Sequence, residues 1–393
     1  MAYNAIADVT LLNAGLTSIA NTIRSKGGTA TSLAFPSAFI SAISAFEDPI
    51  SYIEGTITSS QNATLSSIPD YAFAGCSLLS SISFPACTTV GAYAFYSCVA
   101  LTTLSFSQCT TVGSWAFYMC RLVSTISFPV CTSIEYGAFS NCGSISTASF
   151  PVCSIVGSYG FYFCYNLLSV SFPVCTTISN GAFERCRLLS SAYFPQCTMI
   201  GSGAFSGCSS LSTVSFPVCT TIGPSAFYSC SMLASASFPQ CTLIGSNAFS
   251  SCSSLAALSF PVCTTIESGA FTRCSKLTIL SFSQCTMISD YAFMSCYSIT
   301  NISFPKCTTI GAGAFGYCSS LISASFPLCT TIGGSAFSHC TSLTTISFPK
   351  CTSIRDYAFS SCTTLSTASF SQCTIIGEGA FYDCSSLTTL YFP

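Results

Sequence analysis

Residues 79–98 read L-S-S-I-S-F-P-A-C-T-T-V-G-A-Y-A-F-Y-S-C, and this stretch returns without insertion or deletion to the end of the chain. Phe73 is followed every 22 residues by Phe95, Phe117 and Phe139 and so on to Phe381, and a second register runs from Phe84 to Phe392. A fixed period of this length marks a solenoid, in which each unit is one turn of a coil. The apolar positions of the unit are Leu79, Ile82, Phe84, Val90, Ala94 and Phe95. One turn alone cannot bury that face, so stacked turns must build the core together. Fifteen A-F or G-F sites predict about 15 rungs, each with one short parallel strand around Leu79, Ile82 and Phe84.

The same three residues fit the L-x-x-L-x-L strand pattern of leucine-rich repeats, with Cys87 at the asparagine-or-cysteine position that follows. The fuller pattern F-P-x-C-T-x-I-G-x-x-A-F-x-x-C-x-x-L resembles the BspA-like subclass of bacterial leucine-rich repeats over roughly residues 65–393. That resemblance implies cell-surface adhesins, secreted surface proteins and phage or prophage tail-associated proteins alike.

Composition excludes several functions. Of 393 residues only 6% are charged and the net charge is -2, so no basic stripe exists for nucleic acid. Mean hydropathy is +0.63. Yet no apolar run approaches the ~18 residues of a spanning helix, and no membrane span is expected. The 29 cysteines fall in two rows, fifteen at A-F-x-x-C (Cys76 through Cys384) and fourteen at F-P-x-C (Cys87 through Cys373). None forms a C-x-x-C pair of the zinc or redox kind. Neighbours in one row should lie about 4.8 Å apart with parallel Cβ vectors, whereas a disulfide prefers converging Cβ atoms about 3.8 Å apart. They therefore read as reduced, buried, small hydrophobes. No cofactor and no metal are expected.

Ahead of the array, Leu12, Leu16, Ile19, Ala20 and Ile23 fall at helical spacing before Gly27-Gly28, and Phe35, Phe39, Ile40, Ile43 and Phe46 form a second apolar cluster. The expectation is a helical hairpin head at 1–48, an atypical first rung or cap at 49–70 and the solenoid at 71–393. The head, in particular residues 16–28 and Leu33-Ala34-Phe35-Pro36, resembles N-terminal segments of phage and prophage tail-associated proteins of Gram-positive gut bacteria. That resemblance implies docking on tail proteins. No secretory signal peptide is visible at Met1–Val9. The expected location is a virion, or else the extracellular space or cell surface.

Catalysis finds little support. His339 is the sole histidine and fills a slot held elsewhere by Ser97, Met119, Asn141 and Arg185, and the acids are isolated. Hydroxyl rows such as Thr88, Thr110, Thr132 and Ser154 are too uniform to carry recognition. Variety collects instead around the A-F pair, where early rungs hold Tyr93, Tyr96, Trp115, Tyr118, Tyr136, Tyr159 and Tyr162, with Phe163 and Tyr165 beside them. Tyr and Trp combine flat apolar area with a polar handle, which suits a host-surface glycan or protein. The reading is a non-enzymatic adhesion or receptor-recognition protein. Its alternative is a structural spacer or filament subunit, a homo-oligomer stacking through Leu387, Leu390 and Phe392 at the C-terminal edge.

Overall fold

The computed structural model describes residues 65–278, 280 and 282–393. The expected head at 1–48 and the segment 49–64 lie outside the described residues. The described residues fall into two compact units, one of residues 65–175 with Ala182–Phe194 and the other of Thr176–Gly181 with the described residues from Pro195 to Pro393. Each is a parallel β-solenoid whose turns are 22 residues long, and about 15 turns are present between them. Among the described residues there is no helix.

Among the described residues the turns repeat one path, but it carries two strands where the sequence reading expected one. In the first unit a three-residue strand, Ser81–Ser83, pairs in parallel with Thr103–Ser105, and that with Thr125–Ser127. A separate two-residue ladder runs Ser67–Ile68, Thr89–Val90, Thr111–Val112, Ser133–Ile134 and Ile155–Val156. The second unit repeats both, with two-residue pairs such as Met199–Ile200 on Thr221–Ile222 and three-residue pairs such as Thr345–Ser347 on Thr367–Ser369. The reason is geometric. A coil that closes in 22 residues returns every backbone segment beside its equivalent one turn on, so the extended pair after Cys87 finds a partner as readily as the segment after Leu79.

Alternation sets which side faces in. Ser81 and Ser83 are exposed and Ile82 between them is buried, as a strand of period two requires. Val90 supplies the inward residue of the short strand. Two phenylalanine stacks fill the interior. In the first unit Phe73, Phe95, Phe117, Phe139, Phe161 and Phe183 lie nearly parallel, with centroids 5.0–5.4 Å apart. The row from Phe84 to Phe194 interleaves with them, meeting them tilted or edge-on. Strand spacing of about 4.7–4.9 Å sets the rise per turn and lies close to ring-stacking distance, so phenylalanine matches the coil without strain. The second unit stacks alike, from Phe205–Phe227 at 5.3 Å to Phe359–Phe381 at 5.4 Å.

The thiols are held in two ways. In the A-F-x-x-C row the Sγ donates to the phenylalanine carbonyl one turn back, as Cys98 to Phe73 at 3.1 Å and Cys230 to Phe205 at 3.2 Å. In the other row it donates within its own turn, as Cys87 to the Thr89 carbonyl at 3.2 Å. All are buried except Cys76 and Cys384, which are half-buried. Burial pushes Cys109 and Cys219 up to about 12 and raises Cys98 well above the usual thiol range. Such thiols stay protonated and unreactive at neutral pH.

The uniform hydroxyl row is structural. Thr110 Oγ1 donates to the Thr88 carbonyl and Thr132 Oγ1 to the Thr110 carbonyl, each at 3.1 Å, and in the second unit the same bonds run from Thr198 to Thr374. Several isolated acids have a similar role: Asp70 Oδ1 accepts from Ala92 N at 2.7 Å, and Asp290 Oδ1 from Ala312 N at 2.7 Å.

Candidate recognition site

Two backbone positions in each turn determine what the turn displays. The residue before A-F or G-F is left-handed in all fifteen turns, from Tyr71 (φ 60°) and Trp115 (φ 56°) to Gly379 (φ 55°). So is the residue before the following cysteine, from Gly75 (φ 76°) to Asp383 (φ 58°). That conformation points the amide along the coil axis. Trp115 N donates to the Tyr136 carbonyl at 2.8 Å and Ser97 N to the Tyr118 carbonyl at 2.7 Å. The amide is thereby satisfied by the next turn.

Glycine meets this requirement at no steric cost, and Gly137, Gly181 and Gly203 occupy the first of these positions. Tyr71, Tyr93, Trp115 and Tyr159 adopt the same φ at a cost of about 1 kcal/mol each. Large aromatic rings thus occupy a slot where glycine would fold at less cost, as Tyr291 and Tyr357 also do in the second unit.

The rings form an unbroken track through the first unit. Tyr71 stacks on Tyr93 (4.8 Å, 1°), Tyr93 meets Tyr96 at 5.8 Å, and Tyr96 stacks on Tyr118 at 5.0 Å. Trp115 stands edge-on to Tyr118 (5.0 Å, 87°) and meets Tyr136 at 5.1 Å. Tyr136 leads to Tyr159 at 5.4 Å, Tyr159 to Tyr162 at 5.5 Å, Tyr162 to Phe163 at 4.3 Å and Phe163 to Tyr165 at 5.3 Å. All seven sequence-derived candidates therefore belong to one surface. Tyr136 is 44% exposed, while Tyr93, Tyr96, Trp115, Tyr118, Tyr159 and Tyr162 are half-buried. The rings cover the turn and still present area outward.

One turn further, the columns of Phe163 and Tyr165 hold Arg185 and Arg187. The Arg185 guanidinium sits 5.0 Å from the Phe163 centroid and that of Arg187 sits 5.9 Å from the Tyr165 centroid. Arg185 Nε also lies 3.8 Å from Glu184. Burial raises the Glu184 carboxyl above its usual range, with Arg185 opposing. Burial likewise raises the phenols of Tyr71, Tyr96 and Tyr162, leaving their hydroxyls intact at neutral pH.

Sequence reasoning missed Tyr71 and the arginine pair. Tyr71 shares the column of Tyr93 and Trp115, which was the available signal. The arginines are single residues in variable slots, and only the ring contacts give them a place.

His339 gains partners that its sequence position did not suggest. It stacks on Tyr317 (4.5 Å, 16°), and its Nδ1 lies 2.8 Å from Ser338 Oγ, itself 2.8 Å from Ser360 Oγ. Ser338 and Ser360 are buried. Among the described residues no three His, Cys, Asp or Glu side chains cluster to hold a metal, and no helix is long and apolar enough to cross a membrane. At the other end of the array Leu387 and Phe392 are half-buried and Leu390 is 42% exposed.

Coiled turns, inward strands of the L-x-x-I-x-F type and a buried cysteine after each define a leucine-rich repeat protein. The chain belongs to the BspA type leucine rich repeat family, which matches residues 44–168, 154–278 and 286–393 in six copies. A leucine-rich repeat protein from Bacteroides ovatus is similar in fold, with a TM-score of 0.62 at 24% identity over 79% of this chain and 82% of that one. A leucine rich cell surface protein from Faecalibacterium prausnitzii aligns at 24% identity over 84% of this chain and 83% of that one, with a TM-score of 0.38. No curated protein matches the sequence.

Proposed function

We propose that the protein is a non-enzymatic recognition protein that adheres to a surface-borne molecule through the aromatic track from Tyr71 to Tyr165. The observation that carries this is the placement of Tyr71, Tyr93, Trp115 and Tyr159 in left-handed backbone that glycine would occupy more cheaply. Each ring joins its neighbours in the track. Membership of the BspA type family is consistent with a surface or adhesion role. The track is also suited to contact: rigid rings lose little conformational entropy on binding, and their hydroxyls supply polar contacts.

On this reading residues 1–48 mount the solenoid on a phage or prophage tail, a role supported by the resemblance of residues 16–36 to tail-associated proteins. Labelled protein should bind intact bacterial cells, and Trp115→Ala combined with Tyr136→Ala should remove that binding with the melting temperature little changed. Full binding by the double variant would rule the track out. Co-purification of the chain with tail proteins at a fixed ratio tests the mounting separately.

A further inference from the structure

We infer that Cys362 and Cys384 are an oxidation site, a thiol pair that a peroxide converts into a disulfide tying the turn of Cys384 to the turn before it.

The pairing begins with register. The two cysteines hold equivalent positions one turn apart, and the backbone beside them is laddered: Phe359 N donates to the Ala380 carbonyl at 2.8 Å and Ser361 N to the Tyr382 carbonyl at 2.7 Å. Strand spacing sets such Cα atoms about 4.8 Å apart, inside the range of about 4.4–6.8 Å that a disulfide spans. The parallel Cβ vectors of a row must still converge by about 1 Å. Two features favour that convergence here. The two thiols are hydrogen bonded to each other. The turn of Cys384 is also loosely covered: Phe381, Leu387 and Phe392 are half-buried and Leu390 is exposed, whereas Phe359, Leu365, Phe370 and Ala368 in the same columns one turn back are fully buried. A close-packed turn would resist the shift, and this one can yield.

Access and charge select the pair. Every other cysteine is buried except Cys76, and burial holds the Cys76 thiol up at about 12. Cys384 is half-buried, and its hydrogen bond with Cys362 lowers its thiol against the opposing pull of burial and of the Asp383 carboxylate. A thiolate within reach of solvent is the form that a peroxide oxidises. Cys230 with Cys252 and Cys351 with Cys373 also bring thiols into contact, but both members of each pair are buried.

The chemistry closes on itself. The Cys384 thiolate attacks one oxygen of hydrogen peroxide, the O–O bond breaks, and the departing hydroxide takes a proton from solvent, leaving a sulfenic acid and water. The Cys362 thiol is raised first by its hydrogen bond to Cys384, so oxidation of that partner removes the main restraint on it. Its sulfur then attacks the Cys384 sulfur, the S–S bond forms, and the sulfenic hydroxyl leaves with the Cys362 proton as a second water. The two sulfurs give up one electron each, and the peroxide takes both.

The test treats the full native chain with hydrogen peroxide at neutral pH, blocks remaining thiols, digests with chymotrypsin without reduction and maps the peptides by mass spectrometry. The expected result is one crosslinked pair joining Cys362 to Cys384, lost on reduction, with both thiols disappearing together. Cys384→Ser should remove the crosslink and leave the melting temperature little changed. A sulfinic acid at Cys384 with Cys362 still free, chains joined to one another through Cys384, or both thiols intact after peroxide would each overturn the inference.

Discussion

The indole of Trp115 lies over Gly137, in the equivalent position of the next turn, so closely that a Cβ on Gly137 would come within 2.5 Å of the ring carbon Cε3. Gly137 has φ +63°. The same pairing recurs in the second unit, with Tyr291 over Gly313 and Tyr357 over Gly379. A glycine one turn on leaves the ring room to lie directly on the backbone, where a Cβ would collide with it.

Gly137→Ala should therefore act on the site more than on the fold. It adds about 1 kcal/mol of backbone strain and displaces the indole. Trp115 is the sole tryptophan, so emission spectroscopy reads the displacement directly. The expected outcome is a shifted emission maximum and weakened cell binding with a small loss of thermal stability. An unchanged spectrum would mean that the ring is held by other contacts.

The thiol rows predict a limit of alkaline stability. Burial pushes Cys109, Cys153, Cys219, Cys241 and Cys263 up to about 12 from the thiol value of 9.0. A folded pKa above the unfolded one means that the native state holds its proton longer. The stabilisation is thus complete below pH 9 and is lost as pH rises from there toward 12, by about 1.4 kcal/mol per thiol per pH unit. Summed over several thiols, the melting temperature should fall steeply above pH 9. A flat profile to pH 11 would contradict the buried rows.

Reactivity of those thiols should be uneven. Cys384 is half-buried, and its hydrogen bond with Cys362 lowers its pKa despite partial burial. Cys76 is half-buried too, but burial holds its thiol up at about 12. In the native protein at pH 8, an alkylating reagent should modify Cys384 first and the buried cysteines only on unfolding, as peptide mapping by mass spectrometry would show. Early labelling at Cys230 or Cys252 would show that the turns open locally.

The threonine row predicts a modest and uniform effect. Thr132 Oγ1 donates to the Thr110 carbonyl, which also accepts from Thr132 N. Thr132→Val removes one bond but orphans no buried acceptor, so it should cost about 1 kcal/mol in a denaturation experiment, with Thr132→Ser close to the parent. A neutral Thr132→Val would assign the row to solvation alone.

Much of the fold was legible because Phe73, Phe95 and their successors repeat without a gap, and because Leu79, Ile82 and Phe84 space a strand as a buried edge must. The second strand was hidden, since Thr89-Val90 is too short to show alternation and is followed by Gly91, which reads as a turn. The left-handed positions left a trace in Gly75, Gly137, Gly181 and Gly203, which share two columns with the tyrosines. Tyr93 to Tyr162 were legible as variety against a uniform background. Arg185 and Arg187 were not, because a cation's significance lies in the ring beneath it, and ring contacts between turns follow from geometry that composition does not carry.

The most direct test of the account is the emission of Trp115 during titration of the protein with glycans released from the bacterial surfaces it binds. A ligand on the track must touch or cover the indole. A saturable change in emission that tracks binding and disappears with Tyr136→Ala is the expected result. Saturable binding with unchanged Trp115 emission would place recognition elsewhere on the molecule and contradict the central claim.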